Sequence, residues 1–95
     1  MKIVELVWEE WHVEHIAAKH KIRPREIEEA CFEDESVRVL RGKGKGEEKL
    51  YYILGKTLGG RYLFIVVKPL GKAKAKVITA RDMSHAEKRK YKEVK

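Results

Sequence analysis

The sequence predicts an α+β domain in which an N-terminal strand and two helices precede a four-strand antiparallel meander and a C-terminal helix. Helix signals fill residues 9–34, and from Ser36 to Arg81 the apolar residues recur with a period of two. Ser84 and Glu87 then match a capping box, in which each side chain satisfies a free backbone N–H of the first helical turn. A chain of 95 residues has room for one core. We therefore treat residues 1–95 as a single domain.

The N-terminal segment predicts a strand followed by a helix. Residues 2–8 are apolar and β-branched, which favours an edge strand. Glu9 and Glu10 then place negative charge where the dipole of a first helical turn favours it. Helical spacing as far as Lys19 separates two faces of this helix. The apolar face comprises Val13, Ile16, Ala17 and His20, and the polar face comprises His12, His15 and Lys19.

A second helix is predicted from Pro24 to about Asp34, because proline is favoured at the first helical position. Ile22 and Ile27 flank its start at the positions of a hydrophobic staple. The face that we expect to be buried comprises Ile27, Ala30, Cys31 and Phe32. Because the chain has one cysteine, it forms no internal disulfide, and Cys31 is expected to act as a small buried hydrophobic residue.

Four strands follow this helix. They are predicted at residues 37–41, 49–54, 61–67 and 73–81, with turns at residues 42–46, 59–60 and 69–72. The third strand is continuously apolar, which predicts a place in the middle of the sheet. Alternation along the last strand puts Arg81 on the face of Val77 and Thr79. If the third and fourth strands are antiparallel neighbours, Arg61 and Arg81 lie at the same end of the sheet.

The charge balance indicates a polyanionic partner. Lys and Arg number 22 against 15 Asp and Glu, which gives a formal net charge of +7. Such a charge favours nucleic acid, an anionic membrane or an acidic protein. The sequence shows no signal peptide and no apolar run of about 18 residues. We therefore expect a soluble cytoplasmic protein that has no membrane partner.

The stretch from Ile78 to Tyr91 resembles the C-terminal signature of the BrnT family of ribonuclease toxins, I-[ST]-A-R-x-x-[ST]-x-x-E-[RK]-x-x-Y. The matching residues are Ile78, Thr79, Ala80, Arg81, Ser84, Glu87, Lys88 and Tyr91. Further similarities lie at Trp8 with Glu9, Lys19 with His20, Phe32 with Asp34, Gly55, and Gly60 with Arg61.

The resemblance implies the RelE-like, microbial-ribonuclease-like fold and the activity of a type II toxin. Such a toxin would be an endoribonuclease that needs no metal and cleaves RNA through attack of a 2′-hydroxyl on the phosphate. The implied partners are RNA as substrate and a cognate antitoxin protein, with operator DNA contacted only through the antitoxin complex. No cofactor is expected.

Five residues are candidates for the catalytic site: Lys19, His20, Glu48, Arg61 and Arg81. Arginine stays charged and presents a planar fork to phosphate oxygens, which suits Arg61 and Arg81 to the growing negative charge. Imidazole titrates nearest neutral pH, which makes His20 a candidate for proton transfer, with Lys19 as a phosphate contact. Glu48 enters through the family's acidic residue. The alternatives are a structural ion pair of Arg81 with Glu87 or Glu33 and a hydrogen-bonded core position for His20.

Five further basic residues are candidates for RNA contacts: Lys43, Lys45, Lys49, His85 and Arg89. The first two lie in a glycine-rich loop, for which a solvated hairpin tip is the alternative. The last two lie on a basic helix face that suits RNA, an acidic antitoxin segment or solvent. No metal site is expected, because His12 and His15 alone supply too few ligands.

Two positions depart from the family's pattern and keep a second function open. Lys21 stands where the family has glycine, and Leu50 stands where it has an arginine. Lysine enters the left-handed conformation at a cost that glycine does not incur. The alternative function is a non-catalytic basic RNA-binding module or a degenerate toxin.

Overall fold

A computed structural model of the chain describes residues 3–42 and 49–93. The predicted order of elements is confirmed. The elements are β1 (Glu5–Val7), α1 (Glu10–His20), α2 (Pro24–Glu28) with its π-helical continuation (Glu29–Glu33), β2 (Arg38–Arg41), β3 (Tyr51–Lys56), β4 (Tyr62–Gly71), β5 (Lys74–Asp82) and α3 (His85–Lys92). None of the described helices has the length and the apolar character that crossing a bilayer requires.

The strands form one sheet in the order β1-β5-β4-β3-β2. β2 to β5 pair antiparallel along the chain, and β1 adds to the outer side of β5 in parallel. The sequence predictions that β1 is an edge strand and β4 the middle strand are therefore confirmed. The apolar run of β4 is explained by this position, because a strand with neighbours on both sides and helices over its faces exposes little surface.

The turn predicted at residues 69–72 is wrong, because β4 continues to Gly71 and the chain reverses at Lys72 and Ala73. Both turn residues have positive φ angles, 52° and 62°. Pro69 is tolerated inside β4 because it pairs with Ala75 of β5, whereas the described pairing with β3 ends at Val67. A missing backbone N–H at this point removes no bond from the β3 ladder.

A β-bulge in β5 resets the alternation on which the position of Arg81 was predicted. Val66 pairs with Thr79 and Val67 with Val77, so Ile78 is an extra residue in β5. Arg81 therefore shares a face with Thr79 but lies on the face opposite Val77, and that part of the prediction is wrong. A single inserted residue moves every later side chain of the strand to the other face.

The two faces of the sheet carry different cores. The helices α1 and α2 cover the face to which Leu63, Ile65 and Val67 point, and Ile16, Ile22 and Ile27 pack there with exposures of 1% or less. The short helix α3 covers part of the other face, around Leu54, Met83 and Tyr91. Both staple residues, Ile22 and Ile27, are thus buried as expected.

Two side chains lie differently from the predictions for the helices. His12 is buried beside Ile16, whereas Ala17 is exposed, so the buried face of α1 is rotated relative to the predicted one. Phe32 is 42% exposed, because the last helical turn is π-helical and the wider turn displaces it from the face of Ile27 and Ala30. Residues 24–33 are otherwise helical as predicted.

Gly55 marks a close approach between β3 and this π-helical turn. A Cβ atom at position 55 would lie 2.3 Å from the carbonyl oxygen of Ala30. The absence of a side chain at Gly55 is therefore required for the helix to reach the sheet.

Candidate active site at one end of the sheet

Arg61, Arg81 and the end of α1 that carries Lys19 and His20 lie at the end of the sheet where β4 begins and β5 ends. Leu63 pairs with Asp82 and Phe64 with Arg81, so Arg61 and Arg81 lie at the same end, as predicted. The C-terminus of α1 and the N-terminus of α3 reach this end from the two faces of the sheet. The site therefore depends on two helix termini and two strand ends.

The guanidinium of Arg61 joins three separate segments of the chain. Its Nε and Nη2 donate to the carboxylate of Asp82 at 2.7 and 3.1 Å. Nη1 and Nη2 donate to the carbonyl oxygens of Lys21 and His20 at 2.9 and 3.0 Å, and Nη1 also contacts Glu26 at 3.5 Å. These five bonds match the five N–H donors of an arginine side chain. We call this set of contacts the Arg61 clamp.

The turn before β4 fixes the backbone of Arg61. The Arg61 N–H donates to Oγ1 of the buried Thr57 at 2.9 Å, and the Thr57 N–H donates to the Arg61 carbonyl at 2.8 Å. The Arg61 side chain therefore starts from a defined position. This anchoring allows it to reach the end of α1.

Lys21 ends α1 in the left-handed conformation, with φ 55° and ψ 43°. Its N–H donates to the carbonyl of Ala17, as in a helix terminated by glycine. A non-glycine residue in this conformation costs about 1 kcal/mol or more. Arg61 offsets part of that cost, because it satisfies the carbonyl groups of His20 and Lys21 at the helix end. The helix thus ends where the family's glycine would end it.

The Arg61 clamp keeps Asp82 ionised. The pKa of the Asp82 carboxyl lies below its usual range, chiefly because Arg61 donates hydrogen bonds to it, and the charges of His20 and Lys88 act in the same direction. The pKa of Arg61 is raised in turn by its bond to Asp82. His20 and Lys88 therefore lie around the same carboxylate. His20 is half-buried and Lys19 is exposed, so both are near the surface of the site.

Arg81 makes its contacts on the opposite face of the sheet. Its guanidinium donates to both carboxylate oxygens of Glu87 at 2.8 and 2.7 Å, and it stacks on the ring of Phe64 at 4.2 Å. One oxygen of Glu87 also accepts from the Ser84 N–H at 2.8 Å, and the Ser84 hydroxyl accepts from the Glu87 N–H at 3.2 Å. The predicted capping box is thus confirmed, with Ser84 as the N-cap. The ion pair with Glu87, which the sequence left open, has the geometry of a structural contact.

Arg81 and Arg61 therefore share an end of the sheet without sharing a face. They are connected through Asp82, whose carboxylate binds Arg61 and whose carbonyl oxygen accepts from Arg81 at 3.1 Å. Beside Arg81 lies an open groove of about 420 Å³. Its lining comprises Leu40, Tyr52, Leu54, Phe64, Arg81, Ala86, Glu87 and Lys90.

The other candidate residues lie away from the Arg61 clamp or outside the described residues. Lys49 is exposed just before β3, at the sheet end opposite the clamp. His85 and Arg89 are exposed on α3. Lys43, Lys45 and Glu48 fall outside the described residues. Among the residues that the structure describes, no three His, Cys, Asp or Glu side chains form a group that could hold a metal ion.

The structure adds charged residues that the sequence interpretation passed over. Asp82 follows Arg81 directly, but nothing local indicates that it binds Arg61. Three lysines also surround the ring of Tyr62, with the Nζ atoms of Lys56, Lys88 and Lys92 at 5.6, 5.4 and 5.2 Å from its centroid. We call these four residues the Tyr62 lysine cluster. The spacing of four residues between Lys88 and Lys92 put both on the basic face predicted for the last helix, and Lys56 had no such signal.

Comparisons with known proteins identify the class to which this fold belongs, the small α+β ribonuclease toxins. The family model described as "Ribonuclease toxin, BrnT, of type II toxin-antitoxin system" matches residues 8–87. The chain belongs to the BrnT family. It is accordingly a ribonuclease toxin of a type II toxin–antitoxin system, for which family membership implies an RNA substrate and a cognate antitoxin.

A solved structure supports the same fold. The crystal structure of the Brucella abortus ribonuclease toxin BrnT superposes with a TM-score of 0.66 at 23% sequence identity. The match covers 86% of this chain and 99% of that one. A comparison with curated proteins gave no match.

Proposed function

We propose that this toxin is a metal-independent endoribonuclease whose reaction takes place beside the Arg61 clamp. The 2′-oxygen of the substrate attacks the adjacent phosphorus while its proton passes to a base, and the bond from phosphorus to the 5′-oxygen breaks as that oxygen gains a proton. The products are a 2′,3′-cyclic phosphate and a 5′-hydroxyl. The cognate antitoxin neutralises the enzyme by covering this surface.

The observation that supports this proposal is the bond from Arg61 to the carbonyl oxygen of His20, which holds the end of α1 beside the Arg61–Asp82 pair. The imidazole of His20 is near enough to Asp82 to contribute to the lowered pKa of that carboxyl. Histidine is the residue type best suited to proton transfer near neutral pH. Lys19 is exposed one residue earlier and supplies a cation for the phosphate. Chemistry of this kind uses side chains alone.

Arg61 acts in this proposal as a positioning residue. Its five donors are all directed to protein acceptors, so it does not offer a free fork to the phosphate. Its bond to the carbonyl of His20 instead fixes the end of α1 that carries His20 and Lys19. Arg81 is proposed to contact a second phosphate from the groove on the α3 side.

The central experiment compares two histidines of α1. We expect His20→Gln to lower the rate of RNA cleavage about 10²-fold to 10⁴-fold, because it removes the proton-transfer group. His15→Gln serves as the matched control, since His15 is exposed on the same helix and is not part of the site. Cleavage is measured in single turnover with EDTA present, and the new RNA ends are identified by mass spectrometry. Equal rates for the two variants would contradict the assignment of His20, and loss of cleavage in EDTA would contradict metal independence.

A second pair of variants tests the role of Arg81. If Arg81 contacts phosphate, Arg81→Ala should lower cleavage about a hundredfold while Glu87→Gln, which leaves the guanidinium in place, should not. If Arg81 serves only its ion pair, both variants should lower the melting temperature similarly and cleave at the parent rate while folded. Measuring rate and melting temperature on the same samples separates the two roles.

A further inference from the structure

We propose that the Tyr62 lysine cluster is a subsite for the phosphodiester backbone of single-stranded RNA. The inference rests on the proposed ribonuclease function and deepens it. It assigns a binding surface to the part of the RNA strand that lies next to the scissile phosphate. Lys88 and Lys92 belong to the basic face predicted for the last helix, whereas Lys56 and Tyr62 were not predicted to contact RNA.

Three elements, β3, β4 and α3, bring the residues of the cluster together. Lys56 ends β3 directly opposite Tyr62, the first residue of β4. Lys88 and Lys92 lie one turn apart on α3 and point towards the same ring. Tyr62 is held edge-on against the buried Tyr91, with the ring centroids 5.7 Å apart. The three ammonium groups are therefore gathered by strand pairing and helix docking rather than by chance on a flexible loop.

The lysines of the cluster form no contact ion pair among the described residues, although the charge of Lys88 acts on the Asp82 carboxylate. Across the described part of the chain, no carboxylate oxygen lies within the 4.0 Å ion-pair distance of Lys56, Lys88 or Lys92. Three like charges around one ring repel one another, and the negative face of the ring offsets only part of that repulsion. A polyanion whose charges are spaced like the phosphates of a nucleic-acid backbone would relieve this repulsion. The two arginines at this end of the sheet are already paired, Arg61 with Asp82 and Arg81 with Glu87.

The cluster is continuous with the proposed reaction centre. Lys88 contacts the Tyr62 ring and also contributes, with His20, to the lowered pKa of Asp82. Because α3 begins just after Asp82 and Lys88 precedes Lys92 by one turn, a strand bound at His20 would pass Lys88 before reaching Lys92. The groove beside Arg81 lies on the other side of α3 and does not include these lysines. Tyr62 lies on the same face of β4 as Phe64, so the cluster and the groove both lie on the α3 face of the sheet, on different sides of the helix.

The test measures binding of a short fluorescent single-stranded RNA whose 2′-hydroxyls are all methylated, so that it cannot be cleaved. The variants are Lys56→Gln, Lys88→Gln, Lys92→Gln and the triple substitution. The matched control is Lys68→Gln, an exposed lysine of β4 near the far end of the same strand. Affinity is titrated over a range of salt concentrations, and the melting temperature of each variant verifies folding.

We expect each single substitution in the cluster to weaken binding about twofold to fivefold. Each should also lower the slope of log affinity against log salt by about 0.7, because each phosphate contact in a single strand releases a counterion. The triple variant should lower that slope by about 2, whereas Lys68→Gln should leave it unchanged. The parent and the control should cleave unmodified RNA equally.

Two outcomes would overturn the subsite. One is a triple variant that binds the methylated RNA with the parent's affinity and salt slope. The other is a triple variant that keeps RNA binding but loses binding to poly-glutamate, which would make the cluster a docking surface for an acidic protein. If the lysines govern RNA binding but the parent protein cleaves no RNA, the subsite stands and the proposed cleavage function fails, so the two failures are distinguishable.

Discussion

Two helix termini lie at the same end of the sheet, and an arginine stabilises each of them. The two termini differ in how far apart in sequence their stabilising residues lie. The N-terminus of α3 is closed by Arg81, Ser84 and Glu87, which lie within seven residues. The C-terminus of α1 is closed by Arg61 and Asp82, which are far from it in sequence. The first closure is local and the second is tertiary.

This difference indicates which terminus depends on the rest of the fold. The capping box of α3 is made by neighbouring residues, so it forms whenever the helix forms. The Arg61 clamp forms only after α1, β4 and β5 have come together. Since the clamp orders His20 and Lys19, the proposed chemistry depends on the tertiary closure, whereas the local one mainly stabilises its own helix.

Removing the clamp should have the largest effect on stability. We expect Arg61→Ala to lower the free energy of unfolding by about 2 kcal/mol, chiefly because two helix carbonyls lose their charged donor, while water solvates the largely exposed Asp82 carboxylate. For a domain of this size the melting temperature should fall by about 10 °C. Calorimetry of the parent and of Arg61→Ala measures both changes. Arg61→Lys, which keeps the charge but loses the fork, should recover only part of the stability, and full recovery would show that charge alone suffices.

Removing the local cap should have a smaller effect. We expect Ser84→Ala to cost about 1 kcal/mol, the usual value for a lost N-cap. Cleavage should remain close to the parent rate in the folded protein, because the end of α1 is untouched. Denaturant unfolding measures the stability of this variant, and single-turnover cleavage measures its rate. A cleavage defect as large as that of Arg61→Ala would remove the distinction between the two termini.

Restoring the family's glycine sharpens the comparison at the α1 terminus. Lys21→Gly should stabilise the protein by about 0.5 kcal/mol, because the relief of left-handed strain exceeds the added entropy of the unfolded chain. Lys21→Ala is the control, since it removes the lysine side chain but keeps the strain. A gain from alanine equal to that from glycine would show that the conformation of Lys21 is unstrained.

Lowering the pH should weaken the ion pairs at both helix termini. We expect this to be the smallest of the four predicted effects on stability. The pKa values of Asp82 and Glu87 are lowered in the folded protein, chiefly by their bonds to Arg61 and Arg81. A carboxyl whose pKa is lowered by folding contributes stability above its unfolded pKa and loses it as the pH falls. Stability should therefore decline below about pH 4. Arg61→Ala should show less of this decline than the parent, and an unchanged pH profile would contradict the role of the Asp82 bond.

The sequence predicted the features that arise from neighbouring residues. The capping box of Ser84 and Glu87, the staple of Ile22 and Ile27, and the central position of β4 all follow from local spacing or from the apolar character of one strand. The extra residue Ile78 gives no such signal, because a bulge is defined by pairing with β4. For the same reason, alternation placed Arg81 on the face of Val77.

The candidate site was predictable only in part. Strand order and direction were enough to bring Arg61 and Arg81 to one end of the sheet. The contacts of Arg61 with Asp82 and with the end of α1 could not be predicted. They depend on how three separate segments pack together, and no periodicity in the sequence indicates this. The Tyr62 lysine cluster has the same origin, because Lys56 reaches Tyr62 through pairing of β3 with β4.

The parallel pairing of β1 with β5 has a consequence for the order in which the toxin is made. Glu5 pairs with Lys74 and Val7 with Lys76. The strand β1 is therefore synthesised early but cannot pair until β5 has been synthesised. Chains grow at about 5–20 residues per second and fold from the N-terminus as they emerge. A partly translated chain therefore holds β1 without its neighbour and Arg61 without Asp82. We expect the nascent chain to acquire its reaction surface only after β5 has been synthesised and has paired with β1 and β4.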